Sequence, residues 1–127
     1  MSPATELARR FLALAERDFG TFRILAASTE ADDAALGFHA QQSVEKCLKA
    51  VLIRHGIEFR KTHDLVELLD LIADRDKPLP PHADSLDELN PYAAEFRYGF
   101  IEPKGLDRRR VQEKVAAVLA WAVKQIG

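Results

Sequence analysis

Apolar residues recur every three or four positions through nearly every long segment of this chain, and no strand-like alternation persists. That period puts apolar side chains on one face of an α-helix, so burial requires packing helix against helix. Ser2-Pro3 supplies a capping residue and a first-turn proline for a helix that runs to about Ala27, with Leu7, Phe11, Leu14, Ala15, Phe22 and Leu25 as its apolar set. The polar stretch from Ser28 to Asp33 breaks it.

A second helix is expected over about 32–55, with Leu36, Ala40, Val44, Cys47, Leu48, Val51 and Leu52 facing the core and Gly56 as its C-terminal cap. A third begins near Thr62, where Asp64 and Glu67 have the spacing of a capping box. Its core face is Leu65, Leu68, Leu69 and Ile72, and Lys77-Pro78-Leu79-Pro80-Pro81 ends it. Ser85 and Glu88 offer a second capping box for a fourth segment carrying Leu86, Leu89, Ala93 and Phe96, kinked at Asn90-Pro91. The last helix, about 107–126, packs through Val111, Val115, Val118, Leu119, Ala122 and Ile126. Short connections favour an all-α, antiparallel, up-and-down bundle of four to five helices, with residues 1–127 as a single domain.

A chain of 127 residues can bury about two thirds of its unfolded surface. The net charge of −2 argues against a protein that coats nucleic acid, but the charge is unevenly placed. Residues 64–96 hold nine acids against Arg75 and Lys77, whereas residues 46–63 hold Lys46, Lys49, Arg54, Arg60 and Lys61 against Glu58 alone. Cys47 is the single cysteine, which excludes an intrachain disulfide and a cysteine-based zinc site, and it falls in the apolar stripe. The N-terminal MSPATELARR lacks the apolar core of a signal peptide, and no apolar run approaches membrane-spanning length. A cytoplasmic location without membrane contact is expected.

At about 100° per residue, His39, Gln42, Lys46 and Lys49 form one polar row almost opposite the core face of the second helix. An imidazole, an amide and two ammonium groups in line can grip phosphate oxygens and hydrogen-bond a base or ribose. A solvated face and a dimer interface remain alternative uses of the same row. Arg60, Lys61, Thr62 and His63 follow beside the start of the third helix, where backbone N–H groups and the helix dipole favour an anion. Asp64 opposes this by competing for the same N-terminus.

No Ser/His/Asp order, His-Glu-x-x-His motif or Gly-rich phosphate loop is present. The four histidines, His39, His55, His63 and His82, are too scattered to suggest a metal site, and no cofactor is expected.

Together, FHAQQSVEKCLKAVLIRHGIEFRKTHDLVELLDLI and the later NPYAAEFRYGF resemble the HEPN family of small prokaryotic helical-bundle proteins. The resemblance implies a homodimeric helical bundle that acts with a minimal nucleotidyltransferase, commonly as a toxin–antitoxin couple. Some relatives are metal-independent ribonucleases and others are thought to bind nucleotides. Family site positions fall on His39, Gln42, Lys46, Lys49, His63, Tyr92, Arg97 and Tyr98. Arg97 beside Tyr92 and Tyr98 can clamp a phosphate and stack a base, or the tyrosines can simply pack the end of the bundle.

Ribonuclease members carry an arginine followed four to six residues later by a histidine, and here no histidine follows Arg97. Arg75 and His82 match that spacing only within the Pro-rich linker. No catalytic residues are therefore assigned. The resemblance favours a nucleotide- or RNA-binding protein over two alternatives, a ribonuclease toxin with a noncanonical site and a ligand-free scaffold dimer. The Arg108-Arg109-Arg110 run is read as decoration of an exposed helix start.

Overall fold

The computed structural model describes residues 2–93 and 105–127. Helix α1 spans Pro3–Ala26, α2 spans Asp33–Arg54 and α3 spans Leu65–Asp74. A 3-10 turn follows at Leu86–Leu89, and α4 spans Arg108–Ile126. No strand occurs among the described residues, and the helices form the expected all-α bundle.

The sequence places the helix ends through identifiable caps. Ser2 Oγ accepts from the Thr5 N–H at 3.1 Å, with Pro3 in the first turn. Asp32 and Asp107 cap α2 and α4 in the same way, through Ala34 N–H and Arg110 N–H. Gly56 closes α2 in a left-handed conformation with φ +69. Its N–H reaches Ile53 O, and the Ile57 N–H reaches Leu52 O, the bonding pattern of a Schellman motif. Ile57, 4% exposed, then turns into the core and anchors the exit from the helix.

Neither expected capping box forms. Asp64 caps α3 through Val66 N–H, but Glu67 turns away to Arg60, and the Leu65 N–H is taken by Asn90 Oδ1 at 2.9 Å. Asn90 Nδ2 also donates to Asp64 Oδ1, so the start of α3 is held by a residue 25 positions later. Helix α3 therefore begins at Leu65 rather than near Thr62, whose hydroxyl accepts from Asp64 N–H in the preceding turn. Ser85 makes no capping bond to its own turn. Its hydroxyl and the Glu88 carboxylate instead receive Lys114 Nζ from α4, at 2.8 and 3.3 Å. Over the described residues the fourth segment is a 3-10 turn at Leu86–Leu89, a break at Asn90-Pro91 and helical residues at Tyr92 and Ala93; Leu86, Leu89 and Ala93 are buried, and Phe96 lies outside the described residues.

The central element is α2. It packs along α1 and also against α3, the 3-10 turn and α4. Ala8, Ala15 and Phe22 recur seven residues apart on α1 and are fully buried, and the two alanines let the helices approach closely. The Ser43 hydroxyl, itself buried, donates to Ala15 O at 2.8 Å and fixes the register of α1 on α2. Phe22, Leu36, Leu48, Leu52, Leu65, Leu68, Ile72 and Leu86 fill the core with side chains that exclude solvent. Cys47 lies among them, and burial pushes its thiol pKa well above the ordinary range, so it is an inert packing group.

A Gly56→Ala substitution tests the local account of the α2 terminus. A Cβ at Gly56 meets no atom within 4 Å, so any loss reports backbone strain alone. The expected cost is about 1 kcal/mol, read as a fall of about 3–5 °C in Tm. An unchanged melting temperature would show that the left-handed cap contributes nothing.

Candidate functional site: two carboxylate-held histidines beside the central helix

The polar row of α2 does not face open solvent, as its position opposite the core face suggests. Because α2 is surrounded by neighbours, its polar side is partly covered as well: Gln41, Ser43, Glu45 and Lys49 are all buried. A buried charge is tolerated only with a partner, and each charged group in the row has one.

Two hydrogen-bonded groups lie side by side on the helix. In the first, Asp18 from α1 receives His39 Nδ1 at 3.0 Å on one oxygen and Lys46 Nζ at 2.5 Å on the other. In the second, Glu45 receives Lys49 Nζ at 3.1 Å, His63 Nδ1 at 2.8 Å and Gln41 Nε2 at 3.0 Å. Gln41 also donates to His63 O, which ties the loop before α3 to α2. Gln42 Nε2 donates to Gln41 Oε1 at 2.7 Å, and Gln42 stands three residues from His39 and four from Lys46 on the helix, between the two groups.

Both carboxylates act chemically in the same way. An ionised carboxylate only accepts, so each histidine presents a protonated Nδ1 to it. This fixes the tautomer and leaves Nε2 of each ring to accept a proton or a hydrogen bond, an arrangement that generally prepares histidine for binding or proton transfer. His63 is the more accessible, with 55% of its side chain exposed against 27% for His39. The ammonium of Lys49 also sits 5.7 Å from the centre of the Phe59 ring, which helps to hold it in its buried position.

In the cationic loop Arg60 is likewise paired, whereas Lys61 is exposed without an ion pair among the described residues. Arg60 binds Glu67 through two nitrogens at 2.7–3.0 Å, and the adjacent carboxylate raises its pKa further. The first N–H groups of α3 are occupied by Asp64 and Asn90. The face is therefore rich in oriented donors but close to balanced in charge.

Of the sequence-predicted site residues, the structure brings His39, Gln42, Lys46, Lys49 and His63 together. Tyr92 lies elsewhere. Its ring packs on Gly37, where a Cβ would stand 2.2 Å from ring Cδ1. Gly37 is two residues, hence about 200°, from His39 around the helix axis. Burial and the nearby Asp33 raise the Tyr92 pKa, which keeps the phenol protonated. Arg97 and Tyr98 lie outside the described residues.

Sequence reasoning missed Asp18 and placed Glu45 beside the row only as part of a solvated face, not as the buried acid that organises it. Asp18 is 21 residues from the histidine it holds. It also misread Arg108, which is no decoration: its guanidinium donates to Ala26 O, Ser28 O and Ala31 O and pairs with Asp33, binding the α1–α2 connection to the start of α4. Arg109, 92% exposed, does fit the surface reading. Among the described residues no group of three or more His, Cys, Asp or Glu side chains could hold a metal ion.

Removing Glu45 should strand the buried Lys49 charge. Glu45→Ala is expected to cost about 3–5 kcal/mol in urea unfolding. The double replacement Glu45→Leu with Lys49→Met should recover most of that loss, because neither charge is then left alone. Equal destabilisation by both variants would contradict this account of the pair.

Comparison with known proteins gives one finding. A family model described as HEPN domain matches residues 8–126, nearly the whole chain. No curated protein and no solved structure matches.

Proposed function

The chain belongs to the HEPN family, and from that premise we propose that it is a nucleotide- or RNA-binding protein. It acts as a homodimer together with a minimal nucleotidyltransferase, in a toxin–antitoxin type of couple. The observation that carries the binding role is the half-buried row on α2 together with His63 from the loop before α3, where two imidazoles are fixed by carboxylates beside an amide. Buried ionic groups add little stability compared with apolar replacements, so their concentration on one face favours a use beyond packing.

The charge balance of that face refines the ligand. Lys46, Lys49 and Arg60 are each matched by an acid. Recognition then rests on directed hydrogen bonds to base, ribose or a single phosphate rather than on a positive field over many phosphates. The absence of any histidine after His82 separates this chain from the ribonuclease members of the family, which carry an arginine and, four to six residues later, a histidine.

A second reading has its own support. The His63 side chain is 55% exposed while its Nδ1 is held by Glu45, a suitable arrangement for general acid–base chemistry in a noncanonical, metal-independent ribonuclease.

Calorimetric titration with nucleoside mono- and triphosphates and with short single-stranded RNA tests both. Binding is expected to weaken about tenfold or more in Lys46→Gln and His63→Ala and to show a shallow dependence on salt. Affinity unchanged in both variants would remove the row from the binding site. RNA cleavage in the presence of chelator, abolished by His63→Ala, would instead establish the ribonuclease reading. Native mass spectrometry of the protein purified from its own host would read the dimer and any nucleotidyltransferase-sized companion directly.

A further inference from the structure

A second surface, formed by different residues, lies on α3 and the segment that follows it. Val66, Leu69 and Ala73 fall three and four residues apart on one side of α3, and Leu79 and Ala83 face them across a groove of about 440 Å³. The floor is apolar and partly open: Val66 is 40% exposed and Leu79 45% exposed, two of the few large apolar side chains at the surface of the described residues.

The rim is formed by Asp70, Asp84 and Asp87, and no basic residue lines the groove among the described residues. These acids differ from the acids that tie the bundle together. Asp18, Asp33, Glu45, Glu67 and Glu88 each hold a lysine, arginine or histidine of this chain. Asp70, Asp84 and Asp87 are exposed, and their carboxylates have no ion-pair or hydrogen-bond partner among the described residues. Three unpaired carboxylates around an open apolar floor raise the local negative potential and leave apolar area in water, each at a cost in free energy.

We infer that this groove docks a basic amphipathic helix from a protein partner. Its apolar stripe would cover Val66, Leu69 and Leu79, and its flanking lysines or arginines would face Asp70, Asp84 and Asp87. The shape favours a helix because the floor is a straight row on α3, which accepts side chains at i, i+3 or i+4 and i+7, and because no strand edge is available among the described residues. Charge complementarity selects a cationic segment and disfavours nucleic acid, which the acidic rim repels. The inference does not depend on what the α2 row binds.

Fluorescence anisotropy with a labelled 15-residue helical peptide carrying leucines at i, i+3, i+7 and flanking lysines is the direct test. The full-length protein is expected to bind it, more weakly as salt rises, and to lose at least tenfold in affinity in the triple variant Asp70→Lys, Asp84→Lys, Asp87→Lys. The apolar floor is tested separately by Leu79→Ser, expected to weaken binding several-fold at unchanged charge. A control with the same change of charge elsewhere, Glu16→Lys, Glu30→Lys, Glu58→Lys, should bind nearly as well as the unmodified chain. Circular dichroism of each variant shows whether its helices remain intact, and Asp84→Asn with Leu79→Ser replaces the triple variant if that one is unfolded. No binding, equal loss in the control, or equal affinity for a peptide with glutamates in place of lysines overturns the inference. So does sedimentation showing that the chain self-associates and that the groove variants dissociate it, which would assign the groove to a second copy.

Discussion

Glu45 sits on the most enclosed helix of the bundle and is 4% exposed, and its carboxylate's need for partners organises the surrounding structure. It draws Lys49 down onto the helix surface, orients His63 through Nδ1, and receives Gln41, whose second hydrogen bond secures the backbone before α3. One buried acid therefore joins two helices through side chains that an apolar core would lack. Such a network confers direction more than stability, because desolvation offsets much of the Coulombic gain.

Asp18 does for the α1–α2 pair what Glu45 does for α2 and α3. It holds His39 and Lys46 across the seam where Ser43 also fixes the register to Ala15. A one-turn slip of α1 on α2 would lose the serine bond and both ion contacts together, so the position of the two histidines is coupled to the packing of Ala8, Ala15 and Phe22. At the C-terminal end of α1, Arg108 satisfies open carbonyls of the helix and of the connection that follows it, and anchors α4 to the same corner. The row on α2 is thus held by connections to α1 and to the loop before α3 rather than by α2 alone.

Acidic groups serve two different ends in this molecule. Those inside or beside the bundle are neutralised and set geometry; those around the α3 groove carry unopposed charge next to apolar surface. The excess of acids over residues 64–96 is visible in the sequence, but the division between paired and unpaired acids depends on which cation comes within reach after folding. Asp64 caps a helix and Glu67 binds Arg60, while Asp70, one turn of α3 beyond Glu67, has no such neighbour.

The sequence by itself determined the helices, most of their ends, most of the core and the family, because these depend on local chemistry: apolar spacing at the helical period, Ser2, Asp32 and Asp107 beside free N–H groups, Gly56 where φ must be positive, and the combined motif from His39 through Leu69. It overstated the core face of α1, where Leu7 and Leu14 are 44% and 40% exposed because no neighbouring helix among the described residues covers them. It also placed His39, Gln42, Lys46 and Lys49 on one helix face, since that requires only the turn angle. Tertiary structure decided what those side chains do. Whether Lys49 is solvated or buried, whether Glu67 caps α3 or binds Arg60, and whether Ser85 and Glu88 begin a helix or receive Lys114 each depends on a group from elsewhere in the chain or on the coverage that packing imposes. A charge pattern read along one helix records position around its axis; only the packed neighbours determine which dielectric and which counter-charge each position meets.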